Sequence, residues 1–209
     1  MNYTGNTHGG MAKINGEWYI FYHRQTNKIR CSRQACAERL TILPDGSIPQ
    51  VEVTSCGLNG GPLSAKGTHE ARIACNLSGR DGIIKSDNAR KRDKKDLLPY
   101  FTQSGADREG DGDQYIANLR DGAWCGFKYF SFDGTERSIA VTVRGAAHGK
   151  LEVSFQKDFQ AVAAVVPIDQ NEKTETVHAS FLSSKGVYPL YFRFLGDGAA
   201  DFICFVITI

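Results

Sequence analysis

Hydrophobic and polar positions alternate with a period of two along most of this chain, the pattern of strands that bury one face and wet the other. Ile139/Val141/Val143, Leu151/Val153/Phe155 and Tyr188/Leu190/Phe192/Phe194 are clean examples. No segment keeps a helical period; residues 87–98 come nearest and read as a loop with at most one helical turn. The pattern predicts an all-β chain in two parts. In the first, residues 11–14 and 18–23 flank Asn15-Gly16, a dipeptide suited to a type I′ hairpin turn because both central positions need positive φ. A third run, 29–42, leads through Asp45-Gly46 into 47–54, where Ile48, Val51 and Val53 suggest a fourth strand. Four antiparallel strands in about 45 residues make one propeller-type blade, which buries its faces only against neighbours.

Residues 55–66, SCGLNGGPLSAK, carry Gly, Ser and Pro without a period and read as a linker. Short β-rich runs then return at 70–75, 83–85, 115–119, 124–132, 138–144, 150–155, 161–168, 176–181, 187–194 and 201–207. Separated by Gly, Asp and Asn turns, they predict an antiparallel β-sandwich of the jelly-roll kind. The expected organisation is a blade over 1–54, a linker over 55–66 and a sandwich over 67–209.

Composition narrows the partners. Hydrophobic residues at 41% and charged residues at 23% fit a globular domain and exclude disordered and fibrous classes. The longest apolar runs, 161–167 and 202–207, fall short of the ~20 residues of a membrane span, so no membrane partner is expected. A net charge of +2 provides no field for a polyanion, and the basic run 90–95 has no interleaved aromatics for base stacking, so it reads as a solvated loop and nucleic acid is not expected. Six cysteines, at 31, 36, 56, 75, 125 and 204, show no metal-finger spacing. Cys31 and Cys36 lie an odd number apart in a strand-like run and point to opposite faces, so free and mostly buried thiols are expected. With no basic region and apolar core in MNYTGNTHGG, no signal peptide is expected in this chain; the free thiols lean toward the cytoplasm, and the localisation stays open.

The run GNTHGG (5–10), EWYIFYHR (17–24), CSRQACAE (31–38), DGSI (45–48) and VEVTSCGLNGGPL (51–63) resembles the last blade of the five-bladed propeller of glycoside hydrolase family 43, the β-xylosidases, α-L-arabinofuranosidases and arabinanases. Beyond residue 66, EAR (70–72), YIAN (115–118), DGAW (121–124), GFKY (126–129) and DFICF (201–205) resemble a family 6 carbohydrate-binding module. The first resemblance implies an inverting glycosidase whose paired carboxyl groups hold a water between them. In the family these lie on earlier blades, so no catalytic residue is assigned here, and the isolated chain is expected to be inactive. Completing a propeller would take roughly 250 further residues. The expected partners are an oligo- or polysaccharide and either the remainder of a propeller or another copy of the chain, through open strand edges.

The resemblance also implies individual roles. His8 matches a histidine near the propeller axis that binds or organises a calcium ion; Arg33 matches an arginine that reaches the sugar pocket, with Arg24 as the alternative and otherwise a structural residue. Trp18, Tyr19, Phe21 and Tyr22 read as core rather than a sugar strip, and Trp124 as sandwich interior. Tyr115 and Asn118 fall near the first aromatic of the module's sugar cleft. The second aromatic is replaced by Thr176, Val177 and His178, and the expected asparagine by GDGAA (196–200), which leaves sugar binding and a purely structural role both open. Glu70 and Asp201 match the module's calcium carboxylates, but Arg72 stands where a third acid belongs, and its charge is expected to replace the ion by pairing with both. The loop DREGDGD (107–113) starts like an EF-hand but has Asn118 at the twelfth position and reads as solvated.

Overall fold

The computed structural model describes residues 8–28, 32–83, 97–105 and 113–209. Three antiparallel strands come first: β1 (Gly9–Ile14), β2 (Glu17–Gln25) and β3 (Arg33–Leu40), in the order β1-β2-β3. Asn15 and Gly16 both have positive φ, 49° and 88°, as a type I′ turn requires. The predicted fourth strand is absent. Ile48 and Val51 lie three apart, Pro49 has no N–H for a ladder, and 48–54 runs without strand pairing after a turn closed by Leu43 and Ser47.

The sandwich comprises twelve further strands: β4 (Leu63–Ser64), β5 (Gly67–Glu70), β6 (Asn76–Ser78), β7 (Tyr100–Gln103), β8 (Gln114–Leu119), β9 (Trp124–Phe132), β10 (Ser138–Arg144), β11 (Ala146–Ser154), β12 (Ala164–Asn171), β13 (Glu175–Ser180), β14 (Gly186–Gly198) and β15 (Ala200–Thr208). One sheet runs β13-β10-β15-β8-β7 with β5 also on β15; the other runs β12-β11-β14-β9-β4 with β6 also on β9. Their inner faces meet on a core dominated by Phe127, Phe130, Phe181, Phe192, Phe194, Phe202 and Phe205, all essentially inaccessible. Phe205 contacts Phe127, Phe130, Phe192 and Phe202 edge-on or tilted, with ring centroids 4.9 to 6.2 Å apart.

Four local expectations are corrected. The run 70–75 is strand only to Glu70, then a 3-10 turn over Ala71–Ile73. The linker contributes β4, which pairs in parallel with β9, and Ser55 and Ala65 bond to Lys128 and Ser131 of β9, so 55–66 is fastened to the sandwich. Ile83 lies outside any strand, and residues 84–85 are not among those described. Trp124 is not interior: Cys125 and Phe127 take the core side, which puts Trp124 on the outer face, edge-on to Tyr191 and beneath Lys157. Tyr191 also lies across Gly126, where any Cβ would stand 2.7 Å from the ring. The five described cysteines are free thiols; Cys75 and Cys125 are buried, whereas Cys36, Cys56 and Cys204 are partly accessible. Cys31, the basic run 90–95 and most of the acidic loop lie outside the described residues.

Candidate functional site between blade and sandwich

Register decides what each face of the blade carries. Tyr22 pairs with Cys36, Arg24 with Gln34 and Ile20 with Glu38, so these six share one face. Gln25 pairs with Arg33 and His23 with Ala35, which puts Arg33 and His23 on the other.

The first face meets the sandwich through polar groups. Arg24 is 6% exposed. Its Nε and Nη2 donate to Gln34 Oε1 at 2.9 and 2.7 Å, Nη2 also donates to the Arg72 carbonyl, Nη1 donates to the Ala74 carbonyl, and the guanidinium lies 3.6 Å from the centre of the Phe101 ring. Burial pulls its pKa below the usual arginine value. Beside it, the Asn27 N–H donates to the Phe101 carbonyl at 2.8 Å, Thr102 Oγ1 donates to Asn27 Oδ1, and Lys28 Nζ sits over the Tyr100 ring. Strand β7 thus grips the end of the β2–β3 hairpin that carries Arg33.

Glu38, 4% exposed, fastens the other end. Its carboxylate accepts from Tyr22 OH at 3.0 Å, from the Thr54 N–H at 2.8 Å and from Thr54 Oγ1 at 2.6 Å. Burial, then the Glu38 charge, pushes the Tyr22 phenol far above its ordinary pKa, and burial likewise raises Cys36. Between these two anchors lies a cavity of about 330 Å³, lined by Tyr22, Arg24, Gln34, Cys36 and Glu38 on the blade side and by Thr54, Leu58, Arg72 and Ile73 opposite.

The predicted site residues therefore do not form one cluster. Arg24 is enclosed by protein partners, whereas Arg33 is exposed at the start of β3. His8 is exposed and meets only the His23 ring, edge-on at 4.8 Å, among the contacts of the described residues. Of the aromatic run, Tyr19 is buried and Trp18, Phe21 and Tyr22 are half-buried. In the sandwich, the Tyr115 ring is covered by the Arg144 guanidinium at 4.1 Å. Asn118, with φ of 65°, donates to the Leu98 carbonyl and accepts from Arg120 Nε.

The two carboxylates named in the calcium reading have other partners. Arg72 pairs with Glu70 but not with Asp201, whose Oδ1 accepts the Asn118 N–H at 3.1 Å while Oδ2 faces Arg144 Nε at 3.5 Å. Register places Glu70 opposite Cys204, three residues along β15 from Asp201. Each carboxylate is thus matched by its own arginine, and the two do not converge as a hard cation with six to eight oxygen ligands requires. Among the described residues no three His, Cys, Asp or Glu side chains gather as a metal site. At the sandwich positions, Glu70 and Asp201 are thus paired with Arg72 and Arg144 rather than with each other.

Sequence reasoning did not assign Glu38, Thr54, Phe101 or Thr102. Their signal is the alternation itself: in β2 and β3 it sets Tyr22, Arg24, Gln34 and Glu38 on a face that an isolated hairpin would leave apolar or wet.

No family model matches the chain. A xylosidase/arabinosidase of Thermoclostridium stercorarium is 41% identical over 208 residues, which are 99% of this chain and 43% of that protein. The chain thus spans less than half the length of this relative. Among solved structures, a family 43 arabinoxylan arabinofuranohydrolase from Bacillus subtilis in complex with cellotetraose matches 98% of this chain and 41% of its own, with a TM-score of 0.61 and 20% identity. A β-1,3-glucan-binding family 6 module from Bacillus halodurans matches 71% of this chain and 100% of its own, with a TM-score of 0.54 and 17% identity. The chain is therefore similar to a segment of a xylosidase/arabinosidase, and its fold matches that of solved structures in which blade strands join a sandwich of the family 6 carbohydrate-binding-module fold.

Proposed function

We propose that the chain serves in the hydrolysis of plant cell-wall pentosides, the xylan and arabinan side chains, as the segment of a glycosidase that supplies a wall of the sugar pocket and an accessory sandwich. The observation that carries this is the 41% identity to a xylosidase/arabinosidase through blade and sandwich alike. In this reading the acid and base carboxylates belong to the part of the enzyme outside this match, and Arg33 offers the sugar a planar fork of donors. Its place supports the role: Arg33 is exposed, on a strand whose hairpin is held at Asn27 by β7. The sandwich acts mainly by fixing that hairpin, since the Tyr115 ring, the cleft aromatic, has one face under Arg144. The saccharides named for the two structural neighbours make a carbohydrate the natural partner.

A chimera tests it. This chain replaces the aligned segment of the Thermoclostridium stercorarium relative, and p-nitrophenol release from aryl xyloside and aryl arabinofuranoside is measured. The reading predicts retained turnover and a loss of about tenfold or more in kcat/KM with Arg33→Ala. A folded chimera without turnover, or one indifferent to Arg33→Ala, contradicts it.

A further inference from the structure

The cavity between blade and sandwich has walls that the joint alone does not require. Its floor carries two buried charges of opposite sign that do not pair with each other. Glu38 is held by three neutral donors, and Arg24 by carbonyl and amide oxygens. They stand four residues apart in register along the sheet, about 13 Å at the rise of a strand. A carboxylate has about four lone-pair sites and a guanidinium five N–H donors. Among the described residues the bonds above use three and four of them, which leaves one acceptor site and one donor. Gln34 and Arg72 line the same space, while Val53, Leu58 and Ile73 give it an apolar side.

We propose that this cavity binds a short neutral saccharide of one or two pentose rings. A sugar ring offers an apolar C–H face for Leu58 and Ile73, and hydroxyls that can donate to Glu38 at one end of the floor or accept from Arg24 and Gln34 at the other, so that two rings are needed to reach both ends. A volume of about 330 Å³ stands at the low end of small-ligand clefts and suits one or two rings. With an acid at one end of the floor and a guanidinium at the other, the site favours a neutral polyol over an anion. The choice of a pentose rests on the proposed function; the cavity as a saccharide site rests on its own walls.

Backbone amide NMR shifts of the whole chain, titrated with xylobiose and with arabinose, test the proposal. Saturable shifts are expected at 34–38, 53–58 and 72–75. Leu58→Trp, at a position 56% exposed, should block the mouth and weaken them about tenfold or more, with the thermal unfolding midpoint unchanged. Arg72→Ala, which removes a wall donor from a half-exposed side chain, serves as the second variant and should weaken them at least threefold. No shifts with any neutral saccharide, shifts confined to the outer face near Trp124 and Tyr191, cavity shifts that both variants leave intact, or tighter binding of glucuronic acid than of xylobiose would each overturn it. Shifts at the outer face alone would leave the carbohydrate reading of the chain standing. Cavity shifts with glucose oligomers but not with pentosides would keep the site and overturn the pentose assignment.

Discussion

The two halves of this chain are held by different forces. In the sandwich, seven phenylalanines lie essentially out of water between two sheets, and every neighbour adds to a continuous apolar core. In the described part of the blade only Tyr19 and Leu40 are buried apolar residues, while Arg24, Gln25, Ser32 and Glu38 are buried polar ones. Burial of apolar area stabilises at about 25 cal/mol per Å² whatever the orientation, so the sandwich can tolerate adjustment. A buried polar joint stabilises only when every partner is in place, so the blade is specific and brittle. A three-stranded sheet with so little core does not stand alone; it depends on the sandwich, and on whatever covers its other face.

The largest break should come from the apolar half. Phe205→Ala removes a ring touched by four other phenylalanines and should cost about 3–5 kcal/mol, read by denaturant unfolding of the whole chain. Next comes the joint. Arg24→Met leaves the Ala74 and Arg72 carbonyls and Gln34 Oε1 without their donor and should cost about 2–4 kcal/mol, confined to the blade. The chain's two tryptophans report the halves separately, Trp18 in β2 and Trp124 in β9. In single-tryptophan backgrounds, made by Trp18→Phe or by Trp124→Phe, Arg24→Met should move the Trp18 transition below that of Trp124, where the parent unfolds as one. Coincident transitions would show that the joint does not couple the halves.

Alkali should act on the same boundary. Burial raises the Cys75 thiol to about 11, and raises Cys36, Cys125 and the Tyr22 phenol as well. A native pKa above the unfolded one means stability is complete below the unfolded value and falls as pH rises through the interval between them. For Cys75 that interval runs from about 8.5 to about 11, with a slope of about 1.4 kcal/mol per pH unit. Cys75→Ala should flatten the decline by that amount, read from urea midpoints across the range. The smallest effect belongs to the exposed pair Arg39–Glu17, at 2.6 Å; Arg39→Ala should change stability by less than about 1 kcal/mol, the usual worth of a surface ion pair.

Alternation made most of the fold legible. The runs 124–132 and 138–144 coincide with β9 and β10, and Asn15-Gly16 announced its turn. It failed where geometry is not periodic. The fourth blade strand rested on Ile48 and Val51, which lie three apart; β4 and β7 are two and four residues long, too short to show a period. Trp124 was misplaced because the residue type suggested a core, whereas its neighbours Cys125 and Phe127 had already claimed the inner face. Of the candidate site, Arg33 was named from the resemblance alone, and its exposed place at the start of β3 is a finding of the structure. The partners of Arg24 were not legible, because Ala74, Arg72 and Phe101 lie roughly fifty to eighty residues away and only the assembled fold brings them to it. The pairing of Asp201 with Arg144 was hidden in the same way: it depends on the register of β10 against β15.

In the proposed function labour is divided: a sugar-facing arginine and a polar joint lie in this chain, and the catalytic carboxylates lie in the part of the relative that the match does not cover. The direct test is p-nitrophenol release from aryl arabinofuranoside and aryl xyloside by the purified chain, run beside the chimera that joins it to the remainder of the Thermoclostridium stercorarium relative. The prediction is no release above the enzyme-free blank from the chain alone and turnover from the chimera. Turnover by the chain alone that persists through purification to homogeneity would contradict it.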